Sequence, residues 1–401
     1  MNILFMTMLI LEDIKIHNIY SDLMQEFIEN GHHPYIFTPR ERKMGEKTEL
    51  LKFEKYSLLK VQIGNINNVS FIEKGISTVT LSGNFYRAIR KYFGNIKFDL
   101  ILYSTPPITL AKPIEKLKKY FGCKTYLMLK DIFPQNAVDL GMFSKTSLVY
   151  KYFRRVEKNL YAISDRIGCM SPANVDYILK HNPEIDPGIV ELCPNSIKVM
   201  DMRIGQAERE AIRKKYKLPL DKKVFIYGGN LGKPQGIPFL IECLNSQLNN
   251  LDTYFLIVGE GTEFGKLKAF FKQKQPKNMK LMRRLPKEEY DCIVAACDVG
   301  MIFLDYQFTI PNFPSRLLSY MQAGVPVLAC TDRNTDIGQI IIEGALGWWC
   351  ESNDKEKFVN IIKQICNTSL DKYREHILKY TKKYYDIKVS YRAIESLWSD
   401  Y

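Results

Sequence analysis

"KVFIYGGNLGKPQGIPFLIECL", residues 223–244, decides the fold. Its first half is an apolar run with β-branched and aromatic residues that ends on two glycines, which reads as a buried strand entering a tight turn. "GIPFLIECLNSQL" (236–248) then reads as a helix. Strand, glycine turn and helix in that order open a parallel αβ unit. Gly228, Gly229, Gly232 and Gly236 let backbone amides approach a phosphate at a following helix start. Lys233 adds a mobile cation. A tight strand-to-helix turn needs glycines anyway, so this stretch alone leaves both readings open.

The same pattern runs outward in both directions. "TYFLIVGEG" (253–261) is a strand into a second glycine turn, "MKLMRRL" (279–285) a strand, and "PKEEYDCIVAAC" (286–297) a short helix. "VGMIFL" (299–304), "VPVLAC" (325–330) and "GWWCES" (347–352) are further strands, and helices at about 354–366 and 371–384 finish the series. Upstream, "NILFMTML" (2–9), a helix at about 16–30 ending at Gly31, and "HPYIFT" (33–38) begin another series. "FDLILYST" (98–105), "CKTYLML" (123–129), "RIGCMS" (166–171) and "GIVELCPN" (188–195) continue it. The boundary falls at "CPNSIKVMD" (193–201), with its Pro-Asn turn. This divides the chain into an N-terminal domain 1–196, a second domain 197–384, and a C-terminal helix 385–401 that is amphipathic and expected to pack back on the first domain. The expected architecture is α/β: two Rossmann-like domains facing each other, with a ligand cleft between strand C-termini.

Bulk properties agree with an ordinary folded protein. The chain has 401 residues, 46% hydrophobic and 25% charged, long enough for two cores. No apolar run reaches the roughly 18 residues of a membrane span, and the N-terminus lacks the basic region of a signal peptide. None of the nine cysteines forms a C-x-x-C pair, which argues for buried, reduced thiols rather than zinc or redox sites. The net charge of +13 is spread over both halves. "FYRAIRKYF" (85–93), "KPIEKLKKYF" (112–121) and "YKYFRRVEKNLY" (150–161) mix basic and aromatic residues. Such segments suit an anionic membrane surface. They equally suit solvated helix faces. Nucleic-acid binding is the weakest reading and is not expected.

"NFPSRLLSYMQAGVPVLA" (312–329) carries more chemistry. Pro314 suits a first helical position and Asn312 or Ser315 suits a cap, so a helix is expected at 314–323. Leu317, Leu318 and Met321 form its core face, with Ser315, Ser319 and Gln322 on another. Its start brings amides, the Ser315 hydroxyl and the Arg316 guanidinium together, which suits a diphosphate.

In order and spacing, the glycine turn, "FLIVGEG", "AACDVGMIFL" and "AGVPVLA" resemble the C-terminal domain of retaining GT-B glycosyltransferases of family 4. "GHHPYIFT", "FDLILYSTPP", "DRIGCMSP" and "CPNSI" are similar to that family's first half, so the resemblance covers nearly the whole chain. "KDIFPQNAVDLGMF", "GGNLGKPQG" and "PSRLLSYMQAG" look most like a bacterial surface-polysaccharide subgroup that includes N-acetylfucosaminyl transferases.

The resemblance implies a UDP-sugar-dependent hexosyltransferase that needs no metal or other cofactor. Its donor would be an N-acetylated or deoxy hexosamine on UDP. Its acceptor would be a polyprenyl-diphosphate-linked saccharide of capsule, O-antigen or exopolysaccharide synthesis. The implied place is cytoplasmic, peripheral on the inner face of the cell membrane. The implied donor-binding positions are Gly229, Asn230, Gly232, Lys233, Gly259, Arg284, Leu285, Asn312, Pro314, Ser315, Arg316, Leu317 and Ser319. Glu12, Asp13 and His17, in the loop "LILEDIKIHN" (9–18), would lie on the acceptor side. Asp131 ends a strand where related enzymes place a His or Asp near the sugar; it would work with Lys233 and Arg316 in catalysis, and an Asx turn before Pro134 is the structural alternative.

Departures from the family are specific. Its G-R-L-x-x-x-K-G cations fall on Asn230 and Gln235 here, and its two glutamates fall on Pro311 and Ser319. Lys233 and Arg316 supply cations nearby, so a rearranged working site is expected. The alternative is a non-catalytic GT-B subunit that binds a glycan or a partner glycosyltransferase. A sugar-nucleotide 2-epimerase is a weaker rival, since it would want more acidic and histidine residues than can be placed.

Overall fold

The computed structural model describes residues 1–65 and 83–399. The chain forms two compact units: Met1–Lys198 together with the segment from Ile387, and Val199–Asp386.

The first unit is built on an eight-stranded sheet. Its strands are β1 (Asn2–Met6), β2 (His33–Glu41), β3 (Glu49–Lys52), β4 (Ser57–Ile63), β5 (Leu100–Ser104), β6 (Lys124–Leu129), β7 (Arg166–Cys169) and β8 (Val190–Leu192). They lie in the order β3-β4-β2-β1-β5-β6-β7-β8, all parallel except the β3–β4 pair. The order of strand addition reverses between β1 and β5, where Ile3 to Met6 pair in parallel with Leu100 to Tyr103. The β3–β4 hairpin is absent from the sequence expectation. Its apolar pattern is broken by Lys60, a buried lysine that pairs with Glu12 from the loop after β1.

The first helix, Ile19–Glu29, starts later than the expected residue 16 because Asn18 caps it. The Asn18 side chain accepts from the Tyr20 and Ser21 amides at 2.9 and 3.0 Å, and Ser21 Oγ accepts from the Asn18 amide. Its buried face carries Leu23, Met24 and Phe27. The C-terminal helix Ile387–Ser399 packs there, with Ile387, Tyr391, Ile394 and Leu397 in the same core as Ile3 and Phe5. The Phe27 and Tyr391 rings meet edge-on at 5.2 Å. The chain's last helix therefore completes the first unit's core.

The second unit has a six-stranded, wholly parallel sheet: β9 (Lys223–Asn230), β10 (Thr253–Glu260), β11 (Met279–Met282), β12 (Val299–Phe303), β13 (Val327–Thr331) and β14 (Gly347–Glu351). The order is β11-β10-β9-β12-β13-β14. Counted from β9 this is 3-2-1-4-5-6, the doubly wound order whose reversal between first and fourth strands opens a crevice at their carboxyl ends. Phe225, Phe255 and Phe303 are fully buried in its core. Each contributes about 2–3 kcal/mol of apolar burial, which keeps the strand ends in register.

Three expectations are corrected in this unit. The strand at 279–285 ends at Met282, so Arg284 and Leu285 lie in the loop beyond it. The helix after "NFPS" spans Arg316–Gln322, and Pro314 precedes it. Cys292 is exposed, against the expectation of buried thiols, while all nine cysteines are free.

Candidate functional site

The crevice end of the second unit is organised by β9. Its last residues, Gly228 and Gly229, carry the sheet into the turn. A Cβ on Gly228 would meet the Tyr290 hydroxyl at 2.0 Å, so only glycine fits beneath that ring. Gly229 has φ of 115°, in the left-handed region that favours glycine. A side chain there would also touch the Arg316 guanidinium, whose Cζ and Nη2 lie 3.5 Å from the Cβ position. Arg316, from the helix after β12, thus reaches back over the end of β9.

Arg316 has unusual surroundings. Its Cζ lies 4.6 Å from the centroid of the Tyr227 ring. The Tyr227 phenol acts on it by charge and by a side-chain hydrogen bond, and the phenols of Tyr320 and Tyr290 act on it by charge. Burial raises all three phenols, Tyr320 to about 12, so they are neutral at physiological pH. Tyr320 donates to the Met301 and Ile226 carbonyls at 3.1 and 3.3 Å, which fixes that ring between β12 and β9. Arg316 Nη1 is buried and has no hydrogen-bond partner. A guanidinium stays charged in proteins. The site therefore holds a half-buried cation with one buried, unpartnered donor, Nη1, at the sheet's topological switch point.

The turn itself is braced by neutral groups. Gln235 Oε1 accepts from the Gly232 amide at 3.1 Å and from Asn230 Nδ2 at 3.2 Å. Asn230 and Gln235, which stand where two cations were sought, hold each other. The short 3-10 turn Lys233–Gln235 follows, and Asp305 donates its amide to the Pro234 carbonyl at 3.0 Å, tying the turn to the end of β12. Lys233 itself is exposed.

The helix start differs from the expected cradle. Ser315 sits at the cap position in helical φ/ψ and makes no side-chain cap bond. The Leu317 and Leu318 amides bond back to the Pro314 and Ser315 carbonyls, so they are not free. Asn312 gives its amide to Thr335 Oγ1 at 3.1 Å instead of capping. Thr335 in turn donates to Asp332, whose carboxyl burial raises to about 6. Asn312 is thus used to pin the loop after β13, and Ser315 makes no capping bond. Leu317 is buried in the core and Ser319 is half-buried.

The remaining donor-side candidates are spread along the strand ends. Gly259 pairs with Gly229 across β10 and β9. Arg284 is exposed, and its neighbour Arg283 reaches Glu260 at 3.2 Å instead.

In the first unit, Asp131 follows β6. Both its carboxylate oxygens accept from Asn136 Nδ2, at 2.9 and 2.8 Å. Burial raises its carboxyl to about 6, against the bonds from Asn136 and the Ile132 amide. The acceptor-side candidates are dispersed: Glu12 pairs with Lys60, Asp13 caps the Lys15 amide at 2.9 Å, and His17 Nδ1 meets Asp22 at 3.0 Å. All three are held by neighbours within their unit.

The family model "Glycosyl transferases group 1" matches residues 208–384. That match makes most of the second unit similar to group 1 glycosyl transferases. Glycosyltransferase WbjE of Pseudomonas aeruginosa is 26% identical over 274 residues, 68% of this chain and 67% of that protein. The colanic acid biosynthesis glycosyl transferase WcaI of Escherichia coli K12 is 26% identical over 254 residues, 61% of this chain and 60% of that protein. The Anabaena protein HepE, solved in complex with UDP, superposes with a TM-score of 0.71 over 100% of both chains at 14% identity. The fold is the two-unit α/β architecture of GT-B glycosyltransferases.

Within the second unit, sequence reasoning placed Arg316 and the glycine turn together. It missed the three tyrosines. Tyr227 stands directly before the glycine pair and Tyr320 directly after Ser319, but both read as core residues on their own elements. Only their convergence on one guanidinium marks them. Among the described residues, no group of three His, Cys, Asp or Glu side chains is placed to hold a metal.

Proposed function

We propose that the chain is a retaining glycosyltransferase that moves an N-acetylated or deoxy hexosamine from UDP to a polyprenyl-diphosphate-linked saccharide. The single observation that carries the donor side is Arg316: a half-buried guanidinium at the switch point of the sheet whose Nη1 is buried without a hydrogen-bond partner. A diphosphate is the anion that such a position suits, since its oxygens take the free Nη1 donor and balance the charge. In this reading Arg316 and the mobile Lys233 stabilise the negative charge that grows on the departing UDP. They fill the neutralising role that a divalent cation fills in other transferases, so no metal is required. Asp131, with its carboxyl raised to about 6, accepts the acceptor's proton or orients the sugar. The name of WcaI supports a place in surface-polysaccharide synthesis, and the UDP in HepE supports the nucleotide. The proposed location is the cytoplasmic face of the membrane, where a lipid-linked acceptor is found.

The test is UDP release from a panel of UDP-sugars with membrane acceptor, in the wild type, Lys233→Ala and Arg316→Ala. Each substitution is expected to lower kcat/KM by about 30- to 1,000-fold, equal to about 2–4 kcal/mol of lost oxyanion-type stabilisation. Wild-type turnover in both variants refutes the assignment. A non-catalytic subunit is the second reading, favoured by Ser319 and by the neutral Asn230–Gln235 brace. Calorimetry separates the two: absence of binding at millimolar UDP supports the subunit.

A further inference from the structure

We infer that the exposed segment 141–155 of the first unit is a docking face for an anionic lipid surface. The inference deepens the membrane part of the proposed function and is independent of the donor.

The helix Leu148–Ala162 buries only Glu157, Leu160 and Tyr161, all in its second half. Its first two turns project outward. Leu148 is 81% exposed, and Val149 and Tyr152 are 49% and 58% exposed. Met142, in the turn just before, is 57% exposed. Four large apolar side chains in eleven consecutive residues are too many for the scattered surface hydrophobics of an ordinary fold.

The segment is firmly presented rather than loose. Phe153 packs edge-on against Phe133 at 5.0 Å, and Phe143 meets the same ring at 6.3 Å. Ser147 caps the helix by accepting from the Tyr150 amide at 3.1 Å. Two aromatics thus turn inward and hold the scaffold, which leaves Met142, Leu148, Val149 and Tyr152 outward.

Charge decides what covers this face. Residues 140–156 contain Lys145, Lys151, Arg154 and Arg155 and no acidic residue. Arg154 turns inward to Glu157, at 2.6 Å. Lys145, Lys151 and Arg155 are exposed. Apolar side chains set among cations match an anionic bilayer interface, where the chains enter the acyl boundary and the cations meet the headgroups. A second copy of the chain is disfavoured, because a two-fold contact would set the same cations against each other. A second exposed apolar cluster of the first unit, Leu9, Ile10 and Ile16, has Glu12 and Asp13 among it and lacks this complementarity.

The experiment is co-sedimentation of the full chain with vesicles of phosphatidylcholine alone or mixed with phosphatidylglycerol. Wild-type protein is expected to bind only the anionic vesicles and to be released as salt is raised to 0.5 M-scale ionic strength, about where screening becomes complete. Lys145→Gln/Lys151→Gln/Arg155→Gln is expected to weaken binding on the order of 100-fold, at about fivefold per cation. Leu148→Glu is expected to abolish most of the remainder. UDP calorimetry on the same variants should match the wild type. Wild-type binding that is indifferent to phosphatidylglycerol or to salt overturns the inference. So does unchanged vesicle binding in both variants, or a concentration-dependent dimer in ultracentrifugation that Leu148→Glu dissolves. If vesicles bind and UDP does not, the docking face stands and the donor assignment falls.

Discussion

Replacing Arg316 by Met should stabilise the free protein while it removes nucleotide binding. Ordinary structural arginines do the opposite, so the pair of signs is diagnostic. In the free state the guanidinium is half-buried against Tyr227, with a buried, unpartnered Nη1. A desolvated cation–π contact returns about 2 kcal/mol. Burying the ion costs several kcal/mol after relaxation. Methionine has a similar reach and fills irregular space, and it carries no charge. The difference is a gain of about 1–2 kcal/mol, or about 2–8 °C in the melting temperature of a domain this size. With UDP bound the balance inverts. Two unit charges about 4 Å apart attract by about 4 kcal/mol at an effective dielectric of 20. Loss of that term should weaken UDP binding by about 30- to 1,000-fold, allowing for water that partly replaces the cation. The assay is calorimetric titration with UDP beside a thermal scan of each protein with and without nucleotide. UDP should raise the wild-type melting temperature and leave that of Arg316→Met almost unmoved. The reasoning fails if Arg316→Met melts several degrees below the wild type and binds UDP normally.

Other perturbations test the rest of the framework. The Asp131 carboxyl is raised from 3.8 to about 6, so its favourable protonated form contributes stability that is complete below 3.8 and lost as pH rises through 6. Asp131→Asn should therefore gain on the wild type between pH 4 and 6.5, by at most about 3 kcal/mol, in urea titrations across that range. The same variant should lose transferase turnover by on the order of 100-fold at pH 7 if the carboxylate handles the acceptor proton. Gly228→Ala places a methyl group 2.0 Å from the Tyr290 hydroxyl, so that ring must move. A loss of about 1–3 kcal/mol in stability is expected, with weakened UDP binding as the Tyr290 wall of the arginine cage shifts; unchanged values for both would show that the cage is not needed.

Much of the fold was legible in the sequence because parallel strands buried on both faces write themselves as apolar runs that end on glycine. "KVFIYGGN" matches β9 residue for residue. The β3–β4 hairpin was not legible, because a buried Lys60 breaks its pattern and its partner Glu12 is far away in the chain. The candidate site was legible only as residue types. Sequence placed Arg316 beside a helix start with Ser315 and Asn312 as caps, since serine and asparagine before a helix usually serve that way. Those two residues turned out to belong to other contacts, or to none. Capping depends on φ/ψ and on neighbours such as Thr335, which arrives from the loop after β13.

By itself, then, the sequence determined the alternation of strands and helices, the glycines at the ends of β9 and β10, and the presence of Arg316 near them. Local pattern suffices there, because strand burial, turn geometry and residue charge are properties of short segments. Tertiary structure alone decided that Tyr227, Tyr290 and Tyr320 gather around Arg316, and that Asn230 spends its amide on Gln235. It also decided that Leu148 and Val149 face outward. Those outcomes depend on which distant side chains reach the same few ångströms, and on which charges lack a partner once all the others have been satisfied.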